Sequence, residues 1–347
     1  MKRNSVVGNY LEKLIYKGEN LNSIIIEITQ KCNLKCLHCY VCNRMSVRNE
    51  LPKLSLETIN GILQQAFEMN VIKVTFTGGE PLCHPSFGEI IQMAKEKYNM
   101  IVQVMTNATL INRLNIQQIK KYVDFVFVSK YGASSYTYET VTNVGGAFDR
   151  YLEGINMLRT HDVKYEERGI LLRENECDLE NFIATTKKIE KFISCNKDDP
   201  YSFDHRPSDF ALKTYYEHYI AKTTNPVINC NKSEDPVCGA CRNLLAITAT
   251  GEVVPCSSFY YILGNIYRET LSDIWSGSKI LQFRELMKYK QFTSCCKCDL
   301  NKYLFNVSPC NNLCETGDMH IPSAELCRHC KIVKGVMECK QNENKNF

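Results

Sequence analysis

The sequence predicts an α/β protein built around a parallel β-sheet. Short apolar runs alternate with amphipathic segments of helix length between residues 22 and 205, and polar or glycine-containing turns separate them. Alternation of this kind favours parallel strands joined by helical crossovers, with the active site at the carboxyl ends of the strands. About six strand–helix units fit into this part of the chain, fewer than the eight of a complete barrel.

The individual elements follow from the periodicity of the apolar residues. The first strand is predicted at residues 24–28, and Ser55 is placed to cap a helix with an apolar stripe over residues 59–67. Further strands are predicted at 71–76, 101–105, 125–129 and 164–172. Further helices are predicted at 87–97, 114–121, 136–142, 148–161 and 179–193.

Beyond residue 205 the composition changes, and this change predicts a three-part division. Prolines punctuate residues 206–237, which indicates a bridging segment around a helix at 210–220. From residue 238 the chain is rich in cysteine, with a predicted hairpin turning at Thr250-Gly251 and a predicted helix at 271–289. We therefore expect a core domain at 1–205, a bridging segment at 206–237 and a cysteine-rich domain at 238–347.

Charge and cysteine content narrow the class of protein. The net charge of +4 over 347 residues predicts no preference for nucleic acid or for a membrane surface, and no apolar stretch is long enough to span a bilayer. The 19 cysteines suggest either disulfides or metal sites. The odd count, the length of the chain and a start without a signal peptide oppose a secreted disulfide protein. We expect a cytoplasmic protein whose thiols bind metal.

Three of these cysteines, Cys32, Cys36 and Cys39, follow the first predicted strand with the spacing C-x3-C-x2-C. Thiolates this close together can hold an iron–sulfur cluster, and three ligands leave one iron open for chemistry. Cys42 is the spare thiol that could cap the cluster as a fourth ligand. The alternative is a zinc knuckle, which also uses C-x2-C steps.

This spacing, with His38 directly before the third cysteine, resembles the cluster loop of the radical S-adenosylmethionine (radical SAM) superfamily. The resemblance implies a [4Fe-4S] cluster whose open iron binds S-adenosyl-L-methionine, and reductive cleavage to a 5′-deoxyadenosyl radical that abstracts hydrogen from a substrate. It also implies a partial TIM-like barrel of six strand–helix units, and an electron donor of the flavodoxin or ferredoxin type.

The resemblance also implies SAM-binding positions at the ends of the next three strands. Gly78, Gly79 and Glu80 resemble the motif that contacts the methionine amino group, and the alternative is a tight turn before a proline. Thr106, Asn107 and Ser129 resemble positions that contact the polar groups and ribose of SAM, where each alone could be a cap or turn residue. Leu171 or its neighbours would face the adenine or pack in the core. Related enzymes often carry an arginine where this chain has Thr140-Val141-Thr142.

The C-terminal cysteines resemble the SPASM extension of radical SAM enzymes. The matching pattern is Cys241-x9-Gly251-x4-Cys256, then Cys295-x2-Cys298, Cys310-x3-Cys314 and Cys327. The resemblance implies a β-hairpin plus helix and iron–sulfur loops with two auxiliary [4Fe-4S] clusters. One would use Cys241, Cys256 and Cys314 with Cys238 or Cys230, and the other Cys295, Cys298, Cys310 and Cys327. Cys296, Cys330 and Cys339 are spare, and a pair of zinc sites is the alternative.

Together the two resemblances imply an oxidoreductase that modifies a peptide or protein side chain by cross-linking, thioether formation, epimerisation or oxidation. One alternative is a related enzyme acting on a small molecule such as a tetrapyrrole or sugar, and another is a non-catalytic zinc-binding protein. Ser257 stands where the sulfatase-maturating subclass has an aspartate base, which argues against that subclass. The short segment before Cys32 implies that leader recognition needs a separate protein or another surface.

Overall fold

The computed structural model describes residues 20–39, 41, 51–191, 204–222, 233–303 and 307–343. Strands of these residues form one nine-stranded sheet. The strands are β1 (Ser23–Thr29), β2 (Lys73–Gly78), β3 (Ile101–Thr106), β4 (Phe125–Lys130), β5 (Tyr165–Leu171), β6 (Lys188–Lys191), β7 (Leu244–Ile247), β8 (Glu252–Val254) and β9 (Gly264–Asn265). Their order across the sheet is β6-β5-β4-β3-β2-β1-β7-β8-β9.

Helices connect the first six strands. They are α1 (Leu56–Glu68), α2 (Phe87–Gln92), which continues as a π-helix (Met93–Lys97), α3 (Ile116–Tyr122), α4 (Ser135–Thr142), α5 (Ala147–Thr160) and α6 (Leu179–Thr185). Each of the strands β1 to β5 pairs in parallel with the next strand in the chain. This arrangement confirms the predicted α/β class with a six-unit partial barrel.

The remaining helices follow β6 and the strands of the C-terminal region. They are α7 (Asp209–Lys222), α8 (Leu271–Ser276), α9 (Ser278–Leu286), α10 (Thr293–Cys296), α11 (Pro309–Thr316) and α12 (Ala324–Glu343). Among the described residues, none of these or the earlier helices combines the length and the apolar character that crossing a bilayer requires.

Strand β1 is central because it lies between β2 and β7, and all seven of its residues are buried. Its neighbour in the chain, α1, begins as predicted, with the Ser55 hydroxyl accepting a hydrogen bond from Thr58 N at 3.0 Å. The apolar stripe of α1, which includes Ile59, Ile62 and Leu63, packs into the main core. Strand and helix therefore form where their apolar periodicity requires burial.

The predicted helix at 179–193 is wrong. Helix α6 ends at Thr185, and β6 follows at Lys188–Lys191, while residues 192 and 193 lie outside the described residues. In β6, Ile189 packs against the small core around Leu171, and Lys188, Ile189 and Glu190 all line a cavity. The sequence of alternating charges fits a helix and a strand equally well, and pairing with β5 decides for the strand.

The predicted helix at 271–289 is also wrong in part. It consists of α8 and α9, which Gly277 separates in an extended conformation (φ −70°, ψ 158°). A short 3₁₀ turn at Tyr289–Gln291 follows α9. The apolar periodicity continues across the break, which explains why the sequence predicts one helix.

The cysteine-rich region shares the sheet of the core. Strand β7 pairs in parallel with β1, and the predicted hairpin to β8 turns at Gly251, which has a φ of +82°. The helix predicted at 210–220 is confirmed as α7, and it packs against α12 through Tyr216, Ile220 and Val333. The division at residues 205 and 237 stays a prediction.

Candidate functional site

The three cysteines at the end of β1 lie in a loop that the rest of the barrel holds in place. Backbone hydrogen bonds join Lys35 N to Thr142 O and Leu37 N to Val141 O, both at 3.0 Å. The segment 140–142, where related enzymes often carry an arginine, thus supports the cysteine loop through its carbonyl groups. The two bonds place the loop against the carboxyl end of α4.

The electrostatics of these thiols fit a cationic cluster. The pKa of the Cys32 thiol is raised to about 12, mainly by burial. Nearby Glu80 and Cys39 contribute to this rise, and the Leu34 N–H opposes it. Burial also raises the pKa of Cys36, with Cys39 and Cys32 adding to the shift. The thiols are therefore close enough to repel one another as thiolates. Positively charged iron would offset this repulsion, so the donor set suits an iron–sulfur cluster. Cys42 lies outside the described residues.

The two glycines at the end of β2 are required because the backbone of residues 29–31 lies directly against them. Gly78 has a φ of +150°, and a Cβ there would overlap Thr29 O. A Cβ on Gly79 would lie 2.5 Å from Gln30 O and Lys31 O. Backbone hydrogen bonds, including Gly79 N to Thr29 O at 2.8 Å, join this turn to the start of the cysteine loop. Glycine is therefore needed here so that two chain segments can touch.

Glu80 is fully buried and does not line the cavity. Its carboxylate accepts hydrogen bonds from Thr106 Oγ1 (2.7 Å), Asn107 N (2.8 Å) and Leu82 N (3.2 Å). Burial raises the pKa of this carboxyl to about 7, although these three donors oppose the shift. In this geometry Glu80 joins the turn after β2 to the end of β3. Its predicted contact with the SAM ammonium stays a prediction.

A cavity of about 880 Å³ lies at the carboxyl ends of the strands. Its lining includes most of the residues that the sequence predicts for the site: Cys32, Cys36, Cys39, Gly78, Gly79, Thr106, Asn107 and Ser129. From the opposite side, the C-terminal region contributes Ser257, Ser258, Ser308, Cys310 and Asn311. One space therefore connects the cysteine loop with the cysteine-rich region.

Strands β4 and β5 contribute a wall of the cavity in which Ser129 was predicted but Phe127 and Arg168 were not. The Arg168 guanidinium carbon lies 3.8 Å from the centre of the Phe127 ring, and Nε donates to Glu166 Oε1 at 2.9 Å. Arg168 pairs in register with Ser129, and both residues line the cavity. Strand alternation was the available signal, because every second residue of β4 and β5 shares this face.

Leu171 faces away from the cavity. It is fully buried and packs with Leu179 and Leu212, so core packing is its role in this structure. Its neighbour Ile170 lines the cavity instead. The alternation of side chains along β5 separates these two neighbours.

The C-terminal thiols form two neighbourhoods. Burial raises the pKa of Cys241. Cys238 and Cys256 contribute to the rise and Arg284 opposes it, so Cys238, Cys241 and Cys256 lie together. Burial likewise raises the pKa of Cys295 to about 11, with added effects from Cys327, Cys296 and Cys298. Each neighbourhood contains members of one predicted auxiliary set.

The remaining C-terminal cysteines differ in their surroundings. Cys310 and Cys314 lie one turn apart on α11, and Cys310 lines the cavity. Among the spare cysteines, Cys296 donates its S–H to Tyr289 O at 3.3 Å, Cys330 is buried and Cys339 is exposed. Cys230 lies outside the described residues.

Curated relatives share moderate sequence similarity with the chain. The subtilosin biosynthesis protein AlbA of Bacillus subtilis is 26% identical over 269 residues, which is 72% of this chain and 58% of AlbA. A PqqA peptide cyclase of Gluconobacter oxydans is 21% identical, covering 74% of this chain and 77% of the relative. An AdoMet-dependent heme synthase of Methanosarcina barkeri is 22% identical, covering 80% and 87%. The chain thus spans less than two thirds of AlbA.

Solved structures share the fold of the chain. Native anSMEcpe with bound AdoMet and Cp18Cys peptide has a TM-score of 0.68 at 15% identity, covering 93% of this chain and 98% of that one. SuiB of Streptococcus suis bound to the precursor peptide SuiA has a TM-score of 0.62 at 16% identity, covering 92% and 79%.

Two family profiles match the chain, one at each cysteine-rich region. The profile of the radical SAM superfamily matches residues 26–185, and that of the SPASM iron–sulfur cluster-binding domain matches residues 238–299. The first contains the cysteine loop and the cavity-lining strands β2 to β5, and the second contains the hairpin of β7 and β8. The chain therefore belongs to the radical SAM superfamily, as an enzyme that uses 4Fe–4S clusters and SAM and carries a SPASM domain.

Proposed function

We propose that this enzyme modifies a side chain of a peptide or protein substrate after reductive cleavage of SAM. The observation that carries the proposal is the cavity of about 880 Å³ between the cysteine loop and the SPASM region. Pockets for one drug-sized ligand have volumes of about 300 to 1,000 Å³. The cavity is at the upper end of that range, which supports room for a substrate segment beside SAM.

We assign the SAM-cleaving cluster to Cys32, Cys36 and Cys39. When bound, the cluster and SAM supply a radical that abstracts hydrogen from the substrate. The protein's own part is to hold and enclose these groups. Gly78 and Gly79 let the turn after β2 lie against the cysteine loop, and Glu80 holds the end of β3 in place.

The strands behind the cluster loop supply the surface that faces SAM. Thr106, Asn107 and Ser129 line the cavity, in agreement with the positions that the family resemblance implies. Arg168, in register with Ser129, can supply positive charge to a carboxylate in place of the arginine that residues 140–142 lack.

We assign one auxiliary cluster to Cys238, Cys241, Cys256 and Cys314, and the other to Cys295, Cys298, Cys310 and Cys327. The two neighbourhoods of thiols support the division. The position of Cys310 in the cavity wall supports a role near the substrate, as an electron acceptor or an anchor. A flavodoxin or ferredoxin as electron donor and a cytoplasmic location stay predictions.

A peptide substrate has support from relatives whose names describe peptide chemistry, namely AlbA and the PqqA peptide cyclase. A small molecule is the second candidate, because the heme synthase relative covers more of the chain than either. Ser257 lines the cavity and offers no carboxylate, which again argues against sulfatase maturation.

The test uses anaerobically reconstituted enzyme with SAM, dithionite and a short peptide encoded beside its gene. We expect 5′-deoxyadenosine and a mass change in the peptide, with deuterium transfer to 5′-deoxyadenosine from a peptide labelled at the modified residue. The Cys32, Cys36 and Cys39 triple-alanine protein is the control. Deoxyadenosine without any change in such peptides, together with turnover of coproporphyrin or heme precursors, would support the second candidate instead.

A further inference from the structure

Three polar side chains beside the cysteine loop form a closed ring of hydrogen bonds. Asn107 Nδ2 donates to Asn33 Oδ1 at 3.1 Å, Asn33 Nδ2 donates to Thr109 Oγ1 at 2.7 Å, and Thr109 Oγ1 donates to Asn107 Oδ1 at 2.6 Å. Every member donates to the next in the same direction. Such chains polarise one another, so each bond strengthens its neighbours.

The orientation of the Asn107 amide follows from one backbone donor. Thr109 N–H donates to Asn107 Oδ1 at 2.9 Å, and a backbone N–H can only donate. Asn107 Nδ2 must therefore face the other way, towards Asn33 and Cys32. Both lone-pair sites of Oδ1 are occupied by Thr109, and one hydrogen of Nδ2 goes to Asn33.

The second hydrogen of the Asn107 amide has Cys32 as its neighbour. Asn107 Nδ2 lies 4.0 Å from Cys32 Sγ, which also accepts from Leu34 N at 3.4 Å. A flipped amide would instead place an oxygen against this sulfur and repel it. The ring therefore keeps a donor, and not an acceptor, directed at the sulfur.

The backbone between Asn107 and Thr109 adopts an unfavourable conformation that allows the ring to form. Ala108, between Asn107 and Thr109, is fully buried and has a φ of +63°, a conformation that residues with a Cβ rarely adopt. This left-handed residue turns the chain so that Thr109 reaches back to Asn107. Gly154 of α5 accommodates the turn, because a Cβ there would overlap Ala108 O. Strained residues of this kind persist where surrounding structure holds them.

We propose that Asn107 tunes the reduction potential of the SAM-cleaving cluster by donating an N–H to Cys32 Sγ, and that Asn33 and Thr109 are positioning residues that hold its amide. Hydrogen bonds to ligand sulfurs set cluster potentials, because they stabilise the added electron on sulfur. Asn107 would thus make only van der Waals contact with SAM, because its side-chain polar atoms already have Asn33, Thr109 and Cys32 as partners. The proposal rests on the assignment of Cys32 as a cluster ligand.

The test is an EPR-monitored redox titration of the reconstituted holoenzyme without SAM or peptide. The signal of the cluster is identified as the one that the triple-alanine protein lacks. Asn107→Leu removes the donor to Cys32 Sγ, and it should move the midpoint to a more negative potential. At a fixed potential, the ratio of reduced to oxidised cluster should fall roughly three- to tenfold, the equivalent of one hydrogen bond.

Thr109→Val removes the hydroxyl of the ring but keeps the backbone N–H that orients the Asn107 amide, so it should shift the midpoint in the same direction by a smaller amount. It decides the question if Asn107→Leu fails to bind iron. Thr109→Ser is the matched control, because it keeps the hydroxyl and should leave the midpoint unchanged. A merely structural ring would reduce iron content without shifting the midpoint, and the auxiliary clusters should keep their potentials in every variant. Unchanged midpoints in iron-loaded Thr109→Val and Asn107→Leu would overturn the proposal. Full iron content in the triple-alanine protein would instead overturn the cluster assignment.

Discussion

The two cysteine-rich regions of this enzyme present their thiols in different ways. Cys32, Cys36 and Cys39 lie in one loop after β1, held by the turn after β2 and by the end of α4. Seven of the C-terminal thiols, between residues 238 and 327, come together in two neighbourhoods through the packing of several elements. A set of ligands within one short loop can be identified from its spacing, whereas dispersed ligands need the fold to bring them together.

The regions also differ in redundancy. The proposed auxiliary sets use eight C-terminal cysteines, and Cys296, Cys330 and Cys339 remain beside them in the described residues. In the N-terminal loop, the proposed SAM-cleaving cluster uses all three of the described cysteines. Replacing cysteines of the first region should therefore remove its whole cluster, whereas in the second region the effect should depend on which cysteine is replaced.

The largest effect is expected for the triple change of Cys32, Cys36 and Cys39 to alanine. Loss of all three ligands should reduce 5′-deoxyadenosine formation under dithionite to background, with roughly eight irons left if two four-iron clusters remain. Metal analysis and Mössbauer spectra measure the iron, and chromatography measures the deoxyadenosine. SAM cleavage that survives this change would contradict the assignment.

The converse change, in the C-terminal region, should remove an auxiliary cluster and leave the SAM-cleaving cluster in place. Replacement of Cys238, Cys241 and Cys256 by alanine removes three ligands of one auxiliary set, so about four irons should be lost. Reductive SAM cleavage without peptide should continue, while peptide modification should stop. Iron and zinc analysis of the variant provides the measurement, and unchanged iron content would mean that other cysteines form this cluster.

Glu80→Gln should have an intermediate effect on the first region alone. In the variant, the amide NH₂ group would face either Asn107 N–H or the two donors at Oε1, which are Thr106 Oγ1 and Leu82 N. A buried charge-assisted hydrogen bond is therefore lost. The predicted contact with the SAM ammonium would lose the same charge, and a bond of this kind contributes about 1.5–3 kcal/mol, which corresponds to roughly ten- to a hundredfold weaker SAM binding.

Anaerobic equilibrium dialysis with labelled SAM measures this change in affinity. Glu57→Gln is the matched control, because Glu57 is exposed in the first turn of α1 and should leave the affinity unchanged. Wild-type affinity in Glu80→Gln would mean that the turn after β2 keeps its shape without this carboxylate.

The smallest effect is expected for Cys296→Ala. Its thiol donates to Tyr289 O of the preceding 3₁₀ turn, although it neighbours Cys295. Its loss should leave both iron content and SAM cleavage unchanged. A fall of about four irons would show that Cys296 ligates the second auxiliary cluster, and the paired variant Cys298→Ala gives the comparison.

Much of the fold was predictable because burial and periodicity agree. The strands β1 to β5 lie within a few residues of their predicted positions, and Ser55 caps α1 as predicted. Strand β6 was missed because it is a short edge strand with only one apolar residue, Ile189, between exposed charged residues. The family assignment was likewise confirmed, since it depended on spacing within short segments.

The sequence by itself determined the α/β class, the cysteine loop and the family, since each depends on residues close together in the chain. Only the tertiary structure decided that Gly78 and Gly79 are required by the neighbouring backbone, and that Glu80 holds Thr106 and Asn107. It also placed Arg168 opposite Ser129 and joined Asn33 to Thr109. These contacts join residues far apart in sequence, so no local pattern encodes them, and side-chain direction and packing decide them.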